Sequence, residues 1–186
     1  MRIRALILAL SVTLAGCGYN TIQSYDETVN SAKQQIEVQL QRRADLIPNL
    51  VEVVRGQAKQ ELEVFTQVAR ARAGLVSALE THDPKAMADA NEQVTTSMRG
   101  LMIAVEAYPQ LKSDQAFLRL QDELTGTENR VAVSRTDYNG AVQTYNTYIR
   151  RFPAVITAKV TGAKAREYFE VTNKAALDAP KVDLTK

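Results

Sequence analysis

The sequence predicts an all-α protein: an antiparallel bundle of about four long helices with a short C-terminal helix. Three observations lead there. Apolar residues recur at steps of three and four along most of the chain, which places them on one face of a helix. Only 8 glycines and 5 prolines occur among 186 residues, so strong breaks are few. Ala, Gln, Glu, Val, Leu and Arg dominate, as expected of long helices rather than sheets.

The first sixteen residues follow a different logic. Arg2 and Arg4 form a basic start, Ala5 to Gly16 is apolar apart from Ser11 and Thr13, and small residues precede Cys17, the single cysteine. This is the anatomy of a secretory signal peptide. About a dozen apolar residues fall short of the roughly 20 that a membrane-spanning helix needs. Leu14-Ala15-Gly16-Cys17 resembles the lipobox of bacterial lipoproteins, which implies a diacylglycerol on Cys17 and cleavage just before it. Each buried methylene of such an anchor contributes about 0.8 kcal/mol, so two chains hold where one is marginal. A signal peptide cut nearby, with Cys17 an incidental thiol, and an uncleaved anchor are the alternatives. The expected organisation is a signal peptide over 1–16, a helical bundle over 17–178 and a frayed tail over 179–186. By the same resemblance Gly18, standing where inner-membrane lipoproteins often carry Asp, favours an outer membrane if the cell is diderm.

The first helix is expected to start near Tyr19 or Asn20, with Ile22, Tyr25, Val29, Ala32, Ile36, Leu40, Ala44 and Ile47 as its stripe. So little linker after Cys17 would stand the bundle close to the lipid. Pro48 removes a helix hydrogen bond and biases Ile47 away from helical geometry, so a kink or a brief break is expected at Leu46-Ile47-Pro48. The stripe resumes with Leu50, Val54, Ala58, Leu62, Phe65, Ala69, Ala73, Val76 and Leu79, in one bent helix or two. Thr81-His82-Asp83-Pro84 reads as a turn with Asp83 as N-cap and Pro84 at the first helical position. The next helix carries Met87, Ala90, Val94, Met98, Leu101, Val105 and Tyr108 and stops at Pro109. Ser113-Asp114 caps the longest segment, with Phe117, Leu120, Leu124, Val131, Tyr138, Val142, Tyr145, Ile149 and Phe152 on its apolar face. That spacing averages close to 3.5 residues and suits lengthy antiparallel packing. Phe152-Pro153 stops it, and a last short helix is expected over 163–176.

Composition closes off much chemistry. Removing Arg2 and Arg4 lowers the 23 basic residues to the number of acidic ones, 21. The mature chain is then neutral, and with no basic stripe interleaved with aromatics it is not expected to bind nucleic acid. Phosphate-binding glycine loops, zinc-protease and nucleophile-elbow motifs and calcium loops are missing from the sequence. One histidine and one cysteine exclude a histidine- or thiol-based metal site within one chain, and no cofactor is expected. His82 reads as a solvated turn residue, and Asp83, Asp89 and Glu92 as a solvated helix start. Tyr138, Tyr145 and Tyr148 read as seam residues with outward hydroxyls.

The polar residues inside these helices carry a resemblance. Gln41-Arg42-Arg43-Ala44-Asp45-Leu46-Ile47-Pro48-Asn49-Leu50-Val51 is similar to the signature of the LemA family. So are Tyr108-Pro109-x-Leu111-Lys112 and Phe117-x-x-Leu120-Gln121-x-x-Leu124-x-x-Thr127-Glu128-Asn129-Arg130. Ala132, Arg135, Tyr138-Asn139, Val142, Tyr145-Asn146 and Phe152-Pro153 continue it in order across most of the mature chain. The resemblance implies a membrane-attached antiparallel helical bundle without an established biochemical activity. Two departures stand out: the lipobox in place of a spanning anchor, and Ala163 where the family often has an aromatic residue after Gly162.

Thr127, Glu128, Asn129 and Arg130 interrupt the stripe between Leu124 and Val131, and Ser134-Arg135 interrupts it again. Unpaired polar groups buried there would cost a few kcal/mol each. The economical expectation pairs Arg42 or Arg43 with Glu128 and satisfies the rest through Asn129 and Asn139. Arg42, Arg43, Asp45, Asn49, Glu128, Asn129, Arg130, Arg135 and Asn139 are therefore candidates for a polar layer that sets helix register, or for a recognition patch. A catalytic role is disfavoured, since one carboxylate among arginines and asparagines lacks a paired acid and base. The expected function is that of a non-enzymatic envelope lipoprotein, a scaffold or adaptor acting on another envelope protein or on itself. The alternative is a helper of membrane proteolysis or cell-wall turnover; a hydrolase using Glu128 and Arg135 ranks last.

Overall fold

The computed structural model describes residues 2–58 and 61–171, with side-chain surroundings from Gly18 onward. Six helices follow in order: α1 (Arg2–Gln57), α2 (Leu62–Thr81), α3 (Pro84–Val105), α4 (Pro109–Lys112), α5 (Gln115–Tyr148) and α6 (Ala154–Thr161). No strand occurs among the described residues. The all-α class is as the sequence predicts; the expected tail over 179–186 lies outside the described residues. The chain forms two compact units, to each of which α1 and α5 give one segment. One unit holds residues 1–39 and 127–168, the other 40–126 and 169–186.

In the first unit the α1 stripe runs through Ile22, Val29, Ala32 and Ile36, and α5 supplies Val131, Tyr138, Val142, Tyr145 and Ile149, all buried. Helix α6 adds the small residues Ala154, Thr157 and Ala158. In the second unit Leu40, Ala44, Ile47, Leu50 and Val54 of α1 are buried with Phe65, Val68 and Leu75 of α2, Met87, Val94 and Leu101 of α3, and Leu111. Asp83 caps α3 as expected, its carboxylate accepting the Lys85 N–H at 3.0 Å with Pro84 next in the chain. Asp114 does the same for α5, accepting from the N–H groups of Ala116 and Phe117 at 2.8 and 3.1 Å. Each cap satisfies backbone donors that have no partner within the helix.

Five expectations of local structure are corrected. Helix α1 starts at Arg2 rather than near Tyr19 or Asn20, because the Leu- and Ala-rich stretch is itself a good helix former. It also continues through Pro48 to Gln57, so the interruption falls between α1 and α2, ten residues later than expected. Leu62 is left exposed, and α2 buries Phe65, Val68, Ala71, Leu75 and Ala78 instead of Ala69, Ala73, Val76 and Leu79. Finally, α6 ends at Thr161, where Gly162 takes a left-handed φ of 71° that favours glycine. Residues 163–171 form no helix, against the expectation of one over 163–176. Phe152, expected on the seam, is 81% exposed.

Candidate interaction surfaces and the polar residues that build them

Pro48 has no N–H, so the carbonyl of Ala44, four residues earlier, loses its partner within α1. Arg72 of α2 replaces it: its Nε donates to the Ala44 oxygen at 2.8 Å. One turn of helix with an orphan acceptor is thereby made compatible with a buried stripe on both sides of the proline. Arg43, one residue before Ala44, is 3% exposed and donates from Nη1 to Oδ1 of Asn91 on α3 at 2.6 Å. Two arginines thus tie α1 to α2 and α3 by charge-assisted bonds, which are stronger than neutral ones. At the interruption after α1 the Tyr108 hydroxyl donates to Glu61 Oε1 at 3.1 Å. Removal from water, and then the Glu61 carboxylate, raise the Tyr108 pKa.

In the other unit the polar residues of α5 hold the non-helical segment that follows α6. Asn146 accepts the Arg166 N–H on Oδ1 at 2.8 Å and donates from Nδ2 to the Arg166 carbonyl at 2.9 Å. One buried amide thereby satisfies both main-chain groups of a residue, as a neighbouring strand would. The Tyr138 hydroxyl donates to the Glu167 carbonyl at 2.7 Å. The Arg166 guanidinium forks onto both oxygens of Asp26 on α1, each at 2.8 Å. These bonds hold the segment outside a helix by engaging both main-chain groups of Arg166 and the carbonyl of Glu167.

Tyr145 lies beside this fork, and burial first, then the Asp26 carboxylate, raise its pKa above the usual 10, with Arg166 acting the other way. The folded state therefore favours the phenol. Its contribution is complete below the unfolded-state pKa and is lost as pH rises through the folded-state value. Tyr145→Phe should flatten the fall in melting temperature as pH rises above about 10, and an unchanged alkaline slope would contradict this account.

The structure distributes the predicted site residues unevenly. Thr127 and Arg43 are buried, while Arg42, Asp45, Asn49, Glu128, Asn129, Arg130 and Arg135 are exposed and Asn139 is half-buried. Thr127, not Glu128, takes the place on the stripe between Leu124 and Val131, so the motif interrupts the seam with one hydroxyl rather than a charge. Asp45 accepts from Gln41 at 2.9 Å, and Arg130 donates to Gln39 Oε1 at 3.0 Å. Arg72, Asn91, Asp26 and Arg166 were not singled out from the sequence, and Asn146 entered only through the family resemblance. Only Arg72 had a signal: a proline inside a long apolar stripe demands an outside donor for the carbonyl four residues back.

Open grooves among the described residues include two lined by polar side chains. One, of about 630 Å³, runs between α1 and α5 and is edged by Ser24, Glu27, Thr28, Ser31, Gln35 and Asp137. The other, of about 550 Å³, lies between α2 and α3 with Arg70, Asp89 and Glu92 on its rim. Their hydroxyls, amides and carboxylates suit hydrogen bonding to a polar partner. Asp83 is committed to its cap, and His82 is exposed, with a left-handed φ of 53° at the end of α2.

Fold and polar contacts together define an all-helical bundle protein whose conspicuous polar residues hold helices and a strap in place. Residues 32–184 match the LemA family, and the chain belongs to it. It is similar to the magnetosome proteins MamQ 2 and MamQ 1 of Paramagnetospirillum magneticum AMB-1. Each is 31% identical over 185 residues, spanning 87% of this chain and 67% of the relative. Magnetosome protein MamQ of Magnetospirillum gryphiswaldense MSR-1 is 28% identical over 203 residues, spanning 97% of this chain and 74% of its own.

Proposed function

We propose that this LemA-family protein is a lipoprotein of the bacterial cell envelope, held in a membrane through Cys17, and that it acts as a non-enzymatic scaffold or adaptor for another envelope protein or for itself. The observation that carries this reading is the join between anchor and bundle. Leu14-Ala15-Gly16-Cys17 is followed, five residues on, by Ile22, 1% exposed in the core. A bundle that begins so near its lipid works at the membrane surface, without the reach of a long tether. Arg43, Arg72, Tyr138 and Asn146 already serve as ties between helices and along the strap, which supports a binding protein. Similarity to the magnetosome proteins MamQ of two bacteria supports a bacterial setting.

The test is in-cell crosslinking followed by membrane extraction, with mass analysis of the N-terminal peptide. A diacylglyceryl-modified Cys17 at the new N-terminus, and discrete crosslinked species lost on Glu128 or Arg135 substitution, are expected for an adaptor. Self-crosslinks alone would select the scaffold. A free Cys17 thiol in the membrane-bound protein would overturn the lipoprotein assignment.

A further inference from the structure

The geometry points to α6 and the turn before it as a second membrane contact: an apolar edge with a basic border that lies in the headgroup region of the bilayer carrying Cys17. This rests on the anchor reading, because it takes the membrane to start at the residue before Gly18.

Position is the first argument. Helix α6 packs against the start of the mature chain. A Cβ on Gly18 would stand 3.5 Å from Thr157 Oγ1, 3.6 Å from the Ala154 Cα and 3.7 Å from the Tyr148 hydroxyl. Tyr148 in turn meets Tyr25 edge-on, with ring centroids 5.2 Å apart. The small residues Ala154, Thr157 and Ala158 face inward and let α6 approach this closely. Its location is therefore one residue away from the anchored cysteine.

Its outward face is the second argument. Phe152, Ile156 and Val160, spaced four apart, are 81%, 53% and 82% exposed, and Tyr19 beside the anchor is 46% exposed. Ile156 and Val160, four apart within α6, share one stripe of the helix, and Phe152 belongs to the turn that leads into it. Large apolar side chains exposed at Phe152, Ile156 and Val160, on this turn and the helix after it, mark a surface that is covered in use. Tyrosine suits the same boundary, having an apolar ring and a polar tip.

Charge selects the occupant. Arg150, Arg151, Lys159 and Lys164 are exposed around this edge, and residues 148–164 contain no acidic side chain. An apolar edge whose own segment carries cations and no acid complements acyl chains under anionic headgroups. With the lipid on Cys17, it supplies the second point that stops the bundle from pivoting about its anchor and gives it a defined orientation on the membrane.

The experiment uses the lipidated chain in phosphatidylcholine vesicles with and without phosphatidylglycerol. With Cys17 acylated, an Ile156→Cys substitution supplies the one free thiol for an environment-sensitive fluorophore. Val133→Cys, on an exposed position of α5 in the same unit, is the control. Flotation with the vesicles reports the anchor, and the emission of the floated fraction reports α6. Blue-shifted emission at 156, quenched by lipids carrying a nitroxide, with water-like emission at 133, is the expected result. Replacing Arg150, Arg151 and Lys159 by glutamine should shrink the shift in the phosphatidylglycerol vesicles. Water-like emission at 156 in protein that floats overturns the inference while leaving the anchor intact. Blue-shifted emission without lipid quenching also overturns it, since a second copy or another protein then covers the edge. Protein that fails to float overturns the anchor reading, and with it the membrane contact.

Discussion

Replacing Arg72 by methionine is expected to destabilise the protein by about 1–3 kcal/mol, the cost of leaving a buried acceptor without its donor. For a chain of this size each kcal/mol corresponds to roughly 2–4 °C in melting temperature. Methionine keeps much of the aliphatic length, so the loss reports the Nε bond to Ala44 rather than a cavity. The same argument predicts a rescue. Pro48→Ala restores an N–H four residues after Ala44, and α1 can then satisfy that carbonyl itself. Arg72→Met should therefore cost clearly less in the Pro48→Ala background, with a coupling of about 0.5–3 kcal/mol in a double-mutant cycle. Additive effects of the two substitutions would show that Arg72 does not serve the proline. Pro48→Ala alone should stabilise the helix, because proline inside a helix is unfavourable by about 3 kcal/mol relative to alanine.

Asn146→Ala is the second substitution with a large expected effect. It removes both bonds to the Arg166 main chain and leaves an N–H and a carbonyl to find water or go without. About 2–3 kcal/mol should be lost if both groups stay in place, at about 1 kcal/mol for each bond. The local consequence is the sharper readout. Once the segment after α6 is released, trypsin should cut after Lys164, which is exposed, at a rate well above that of the parent protein. Asn146→Asp separates the two bonds, since a carboxylate still accepts from the Arg166 N–H and repels the carbonyl. An intermediate cleavage rate for aspartate would support the paired geometry. Equal rates for the parent and Asn146→Ala would show that this amide does not hold the segment.

Both substitutions act on polar residues that a functional motif search would flag or pass over for the wrong reason. In this chain Arg43, Arg72, Tyr138 and Asn146 each engage a specific partner across helices or along the strap. Their chemistry is the satisfaction of backbone and buried polar groups in a bundle whose longest helices carry a proline and a hydroxyl on their seams. Glu128, Asn129, Arg130 and Arg135 are exposed, and Arg130 itself bonds Gln39 of α1.

The sequence by itself determined the helical class, the core stripes of α1, α3 and α5, and both aspartate caps. These depend on periodicity and on short-range geometry, which a chain carries locally. Pro84 at the start of α3 is of the same kind. The family was legible for a related reason, because its polar motif is spread in a set order along the helices. What only the tertiary structure decided were features in which a distant group overrode a local preference. Pro48 ought to stop a helix, and α1 passes it because Arg72, 24 residues after that proline, takes the orphaned carbonyl. Residues 163–168 ought to favour a helix, and they form a strap because Asn146 and Tyr138 hold their main chain. The stripe of α2 keeps Phe65 but then falls one or two positions before the expected residues, since several registers of apolar residues fit this helix and packing selects one. Backbone hydrogen bonding is an obligation to be met somewhere in the molecule, and sequence periodicity does not say where.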